Sequence, residues 1–254
     1  MSELVKKFTS AFSLVELLVV LAMIALLVAL LLPALAAARQ EAQTAACLAN
    51  LHELGAAALE YVSEFNDSFP PAYYGSGTTW RWDFHWVSVN GTTAQEPGIL
   101  WADGWDMKQI QILQCPALTT PVASTGSVNG YNYNTSYIGH GAAELHPNPV
   151  RFHQLATPSL CALFGDGGYS GGVNYFMRAP DLLNPVPPNA DNVSDSERAA
   201  GTQAYRHAGA TNAAYCDGHE QTVTQCYTQT SPTQVSVWAG TGFLSLDNSA
   251  YQSY

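Results

Sequence analysis

The residues of this chain that could do chemistry fall into three groups. The first is Asp166, His207, Asp217 and His219. Imidazole and carboxylate together suit zinc or another transition metal, whereas calcium takes six to eight oxygens and no imidazole. Asp166-Gly167-Gly168 and Asp217-Gly218 each follow a strand-like run, so two loops could bring the four together. No pair has a tight ligand spacing such as His-x-x-x-His. The plainer reading is therefore that Asp217 is a turn residue and that Arg206 and His207 hydrogen-bond the hairpin. The second group is the cysteines, Cys47, Cys115, Cys161, Cys216 and Cys226. The third is a single carboxylate, Glu16, at the start of a long apolar run, where a charge is costly and calls for a partner. Catalytic patterns are missing: there is no Gly-x-Ser-x-Gly elbow, no phosphate-binding loop and no His-Glu-x-x-His, and Gly165, Gly167 and Gly168 lack the strand-turn-helix setting of a dinucleotide site. The expectation is a protein that is not an enzyme and requires no cofactor.

Leu17 to Ala38 is an uncharged apolar run of 22 residues. As a helix it would be about 33 Å long, enough to cross a hydrocarbon core. Lys6 and Lys7 lie ahead of it and predict a cytoplasmic N-terminus with everything downstream exported. From Arg39 to Phe65 there is no proline, and Leu48, Leu51, Ala58, Val62 and Phe65 recur at helical spacing. The helix should thus continue as an amphipathic rod with Glu41, Gln43, Asn50, Glu53, Glu60 and Glu64 on its outer face. Asn66-Asp67-Ser68-Phe69-Pro70-Pro71 should end it. Pro33 cannot donate to the helix ladder and predicts a bend or a melted turn.

Beyond Pro70 the composition turns to Gly, Asn, Thr, Ser, Tyr and Trp, and about 185 residues are ample for one domain with its own core. Strands are expected at Ile110 to Leu113, Tyr131 to Ile138, Leu160 to Phe164, Ala210 to Cys216, His219 to Val223, Gln234 to Trp238 and Phe243 to Leu246. Asp217-Gly218 between two strand-like runs reads as a two-residue hairpin turn that sets Cys216 opposite His219. Leu182 to Arg198 reads as a long exposed loop. Trp80, Trp82, Phe84 and Trp86 alternate like one face of a strand, with Tyr73, Tyr74, Trp101 and Trp105 nearby; packing against the rod is the favoured reading, an exposed platform the other. The fold class is α+β: a long N-terminal helix, its apolar half protruding and its amphipathic half packed, against an antiparallel sheet with a loop-rich domain. The divisions are a leader over 1–11, the two helix halves over 12–38 and 39–66, and the globular domain over 67–254.

Lys6-Lys7, Ala11, Phe12-Ser13-Leu14-Val15-Glu16 and the apolar helix resemble the processing motif of type IV prepilins and type II secretion pseudopilins, with alanine at 11 where glycine is usual. The resemblance extends to Pro33, to Cys47 before Leu48-Ala-Asn-Leu51, to Cys115-Pro116, and to His207 followed after nine residues by Asp217-Gly218 in the stretch Asn212-Ala-Ala-Tyr-Cys-Asp-Gly-His219. It implies cleavage by a prepilin peptidase between Ala11 and Phe12, N-methylation of Phe12, and assembly through Glu16 and Pro33. It also implies a single-pass inner-membrane precursor that an assembly platform draws from membrane lipid into an extracellular or periplasmic filament of identical or related subunits. A structural calcium held through Asp103, Asp106 or Asp166 is the one cation the resemblance suggests. Once Phe12 is the chain start, its amine lies about one helical turn from Glu16, so Glu16 of one subunit can meet the amine of the next.

The formal charge is −11, and from Asp67 onward six basic residues face fourteen acidic ones. Nucleic acid is not an expected partner, because phosphate binding runs on Lys and Arg. Five cysteines in an exported domain predict two bridges and one free thiol; the sequence leaves the pairing open, with Cys47 and Cys115, and Cys161 and Cys216, as the candidate pairs and Cys226 as the odd one. A bridge of the first kind stabilises by about 2 to 4 kcal/mol. Two rival readings stand beside the filament subunit. One is a secretory signal peptide cleaved at Ala34-Leu35-Ala36 or Ala36-Ala37-Ala38. The other is a secreted or membrane-anchored binding module whose aromatic-rich surface takes a glycan or protein ligand.

Overall fold

The computed structural model describes residues 13–74, 80–89, 92–101, 112–118, 130–140, 148–169, 172–180, 195–228 and 237–252. Ala11, Phe12, Asp103, Trp105 and Asp106 lie outside the described residues, as do parts of the strands expected at 110–113 and 234–238 and residues 182–194 of the expected loop. The chain divides into two compact units that part between Glu41 and Ala42.

Helix α1 (Leu14–Glu64) contributes to both units. In the first, residues 13–41 are exposed without exception. This stretch holds the one candidate membrane span among the described residues. The helix begins with a reciprocal cap: the Ser13 amide donates to Glu16 Oε2 at 2.8 Å, and the Glu16 amide donates to Ser13 Oγ at 3.2 Å. Ser-x-x-Glu is the sequence signature of that capping box, and it satisfies amides that the first turn cannot. Of the bend or melted turn expected at Pro33, the melted turn is absent, since α1 runs through the proline. The proline removes only the bond to the Ala29 carbonyl, and the ladder on either side of it continues.

In the second unit α1 buries Cys47, Leu51, Leu54, Gly55, Ala58 and Val62, a stripe stepping by three and four residues. Phe65, expected in that stripe, is exposed and stacks on Tyr61 at 4.0 Å. Gln43 and Asn50, expected on the outer face, turn to the domain. Gln43 Nε2 donates to the Pro116 carbonyl at 3.0 Å, and Asn50 Nδ2 donates to the Gln114 carbonyl at 3.2 Å and to Tyr131 Oη at 3.0 Å. A long amide bridges the edge between stripe and solvent, where the carboxylates at 53, 60 and 64 stay exposed. The helix ends as Asn66 (φ 54°) and Asp67 (φ 68°) enter the left-handed region, which these two residue types tolerate best after glycine.

Three sheets follow. The first is an antiparallel meander of β1 (Tyr73–Tyr74), β2 (Trp80–Arg81), β3 (Phe84–Val89) and β4 (Thr92–Pro97). The second is built from β5 (Tyr131–Asn134), β6 (Ala162–Asp166), β7 (Phe176–Met177), β9 (Thr211–Tyr215) and β10 (Glu220–Val223), in the order β10-β9-β6-β5-β7. The third pairs β8 (Gln203–Ala204) with β11 (Thr241–Gly242). A short helix α2 (Asp195–Ala200) stands at the end of the expected loop.

The large sheet is mixed rather than antiparallel throughout, because β7 runs parallel to β5 at its edge. Strand β5 explains how the sheet is held. Tyr131 and Tyr133 point into the core shared with Leu51, Leu54, Trp82 and Phe164. The alternate residues are asparagines, buried and hydrogen-bonded to other segments of the domain. Asn132 Nδ2 donates to Asn174 Oδ1 at 2.9 Å, and Asn134 Nδ2 donates to the carbonyls of Ala162 at 2.7 Å and Tyr251 at 2.9 Å.

The aromatic run does not form one strand face. Trp80 is in β2, Trp82 in the turn and Phe84 in β3, so Trp82 and Phe84 are buried with Trp101 while Trp80 is exposed and stacks on His85 at 3.7 Å. Packing thus accounts for Trp82, Phe84 and Trp101. Trp80 and Trp238 are exposed.

Candidate functional site

The four residues of the expected His and carboxylate site separate into two places. Asp217 and His219 sit together at the β9–β10 turn, with His219 Nδ1 2.6 Å from Asp217 Oδ1, both partly exposed. Asp166 and His207 are buried elsewhere. The turn has three loop residues, not two: the Gly218 amide donates to the Tyr215 carbonyl at 3.0 Å and the Tyr215 amide to the His219 carbonyl at 2.8 Å. Of Asp217 and Gly218, only Gly218 takes a positive φ (93°), the pattern of a type I turn closed by a glycine bulge. Tyr215, and not Cys216, therefore faces His219, with the two rings stacked at 4.4 Å. Cys216 is displaced into the turn and its amide donates to the Cys161 carbonyl at 2.9 Å. Both expected partners of the second bridge thus lie on neighbouring segments, buried, but the five cysteines are free thiols and neither expected bridge is formed.

The other convergence joins residues that the sequence sorted into different groups. Cys47 Sγ, Cys115 Sγ, a carboxylate oxygen of Asp166 and a ring nitrogen of His207 all lie within 4.8 Å of one another, and all four residues are buried. Cys47 is the first residue of the buried stripe of α1. Cys115 follows a short 3-10 turn and packs against Gly130, where a Cβ would fall 2.6 Å from that of Cys115. Asp166 ends β6, and its Oδ2 accepts the Asn212 amide of β9 at 2.8 Å. His207 opens a tight turn in which its amide and carbonyl pair with those of Ala210 at 3.0 Å each, across Ala208 (φ 53°) and Gly209 (φ 86°). Two successive left-handed residues make the type I′ geometry that reverses the chain in two residues.

Within the cluster the two sulfurs are 2.8 Å apart, His207 Nε2 is 3.6 Å from Cys115 Sγ and 3.2 Å from Asp166 Oδ2, and His207 Nδ1 is 3.3 Å from Thr44 Oγ1. Arg206 Nη2 donates to the carbonyls of Gly130 at 2.8 Å and Gly167 at 2.7 Å, tying the segments that flank β5 and β6 together beside the site. Burial opposes charge on His207, but the Asp166 carboxylate and the Cys115 sulfur outweigh it and raise the ring to about 9. The Cys115 thiol is brought down to about 6, chiefly by the hydrogen bond from Cys47 and, against burial, by His207 and Arg206. Cys47 is pushed up, first by that same sulfur contact and then by burial.

A nucleophilic relay would need His207 to face Cys115 with one nitrogen and Asp166 with the other. Here Nε2 faces both, and Nδ1 is taken by Thr44. The arrangement gathers four ligand-type atoms within 4.8 Å of one another rather than forming a relay. Of the expected assembly residues, Glu16 is exposed and engaged in its own helix cap, and Pro33 lies in the exposed helix half. Compared with known protein families, with curated proteins and with solved structures, the chain matches none of them.

Proposed function

We propose that this chain is a pilin- or pseudopilin-type filament subunit, anchored in a membrane by the first half of α1 and assembled by packing that half against sister helices. One observation carries the reading. From Leu17 to Ala38 the helix is apolar on every side, and its large side chains are exposed from 42% at Val19 to 69% at Leu30, so no face is covered by the chain itself. A helix hydrophobic all round requires lipid or other helices about it. The second half of the same helix is part of the domain core, which makes α1 both anchor and shaft. The processing motif through Phe12 supplies the route from membrane precursor to filament, and the domain's role is structural rather than catalytic. The aromatic binding-module reading draws no support from Trp82 and Trp101, which are buried.

Glu16 separates assembly from capping. Glutamine can serve the capping box as glutamate does, so Glu16→Gln keeps the helix start and removes the charge that would meet a neighbouring amine. The expected outcome is a membrane-inserted subunit that yields no sheared filaments, with Glu16→Ala equally defective. Filaments from Glu16→Gln at the level of the parent chain would reduce Glu16 to a cap and remove charge pairing from the account.

A further inference from the structure

We propose that Cys47, Cys115, Asp166 and His207 form a structural site for a divalent transition ion of the zinc class, a closed tetrahedron of two thiolates, an imidazole and a carboxylate that fastens α1 to the sheet. Ligands at about 2.0 to 2.3 Å from one zinc ion are about 3.3 to 3.8 Å from each other. The His207 separations, 3.2 Å to Asp166 and 3.6 Å to Cys115, match that range; the two sulfurs, at 2.8 Å, must part by about 1 Å to share an ion, and no donor is more than 4.8 Å from another. Two thiolates and an imidazole exclude calcium or magnesium as the preferred ion.

The surroundings are those of a metal site. Metal-binding histidines hold their second nitrogen with a hydrogen bond that sets the tautomer. With Nδ1–H donated to Thr44 Oγ1, the lone pair of His207 Nε2 points at the cluster. Asp166 Oδ2 is oriented by the Asn212 amide, while Oδ1 is buried and has no hydrogen-bond partner. A buried carboxylate oxygen left without a donor is costly, and a bound cation would satisfy it. Binding displaces the protons that the cluster holds and leaves a site with two thiolates, one carboxylate and one neutral imidazole around the ion. A Cys47–Cys115 cystine is the competing state. It requires a two-electron oxidant, consumes both sulfurs as ligands, and gives Asp166 Oδ1 no partner.

The test uses the full chain extracted in mild detergent without reductant. The expected result is one zinc per chain, with Cys47 and Cys115 both open to alkylation once the metal is removed. Replacement by cobalt should give the visible bands of a tetrahedral ion and thiolate-to-cobalt charge transfer at one equivalent. Cys115→Ser and His207→Ala should weaken cobalt binding by about 100-fold or more, whereas Cys161→Ser should leave it unchanged. Asp166→Asn, which preserves shape, guards against a variant that fails to fold and should weaken binding by at least about tenfold. A linked Cys47–Cys115 peptide in the isolated chain, or a folded, reduced chain that takes up no tetrahedral cobalt, would overturn the proposal.

Discussion

Leu51→Ala tests whether the second half of α1 is a working part of the domain. Leu51 is completely buried, one helical turn from Leu54 and Cys47, in the core that includes Tyr131, Tyr133 and Phe164. Truncation removes three carbons from a site walled by aromatic rings and a sheet, which cannot collapse onto the gap. Such changes cost about 2.7 to 5.0 kcal/mol, more where the cavity stays open. For a unit of this size that is a fall in melting temperature of about 5 to 20 °C. The measurement is thermal and urea unfolding of the full chain in detergent, followed by tyrosine and tryptophan fluorescence, since Trp82 and Tyr133 share the core. Leu26→Ala is the control: Leu26 is 64% exposed in the apolar half and should leave domain unfolding unchanged. A loss under about 1 kcal/mol for Leu51→Ala, or equal losses at both sites, would refute the assignment of the helix's second half to the core.

Asn134→Ala should cost at least about 2 kcal/mol in the same unfolding assay, because it strands the buried carbonyls of Ala162 and Tyr251; an effect within error would mean those carbonyls find other donors. The turn that places His207 should respond to backbone strain alone: no atom lies within 4 Å of a Cβ on Gly209, so Gly209→Ala should destabilise by about 1 kcal/mol, while Ala208→Gly should be neutral or stabilising. Asp67 ties the end of α1 to His153, whose ring and amide hold its carboxyl below the usual aspartate range. Its contribution is therefore present above the ordinary aspartate value and lost as pH falls through the depressed one. The His153 amide should stay protected from exchange down to about pH 4, and Asp67→Asn should abolish that acid limb; loss of protection well above pH 4 would contradict it.

Much of this molecule is local enough to be legible in its sequence. The two characters of α1 follow from a run of uncharged apolar residues and then a three-and-four spacing, and β5, β6, β9 and β10 overlap the strands expected from their composition. Long-range order is what periodicity does not carry. The two-residue strands β7, β8 and β11 owe their pairing to neighbours distant in the chain, β1 and β2 are too short to show an alternation, and the parallel placement of β7 beside β5 depends on a crossover. The hairpin at Asp217-Gly218 was visible but its register was not, since one positive φ gives a bulged three-residue turn and two would give a tight one. The Ser13–Glu16 cap was readable from Ser-x-x-Glu, but the charge of Glu16 in an apolar helix drew the reading to intersubunit pairing instead. All four members of the buried cluster stood among the candidate residues, the cysteines as a bridge and Asp166 and His207 as ligands. Only the fold shows that the two groups occupy one place, because four separate segments deliver them.

The central claim is that the exposed apolar helix is retained in the working protein. Mass spectrometry of the N-terminal peptide of the chain recovered from its membrane or filaments measures this directly. The account predicts a mature chain that starts at N-methylated Phe12 and keeps residues 12–38. A chain that starts near Ala37 or Arg39 would be a released protein without the helix, and would contradict the account.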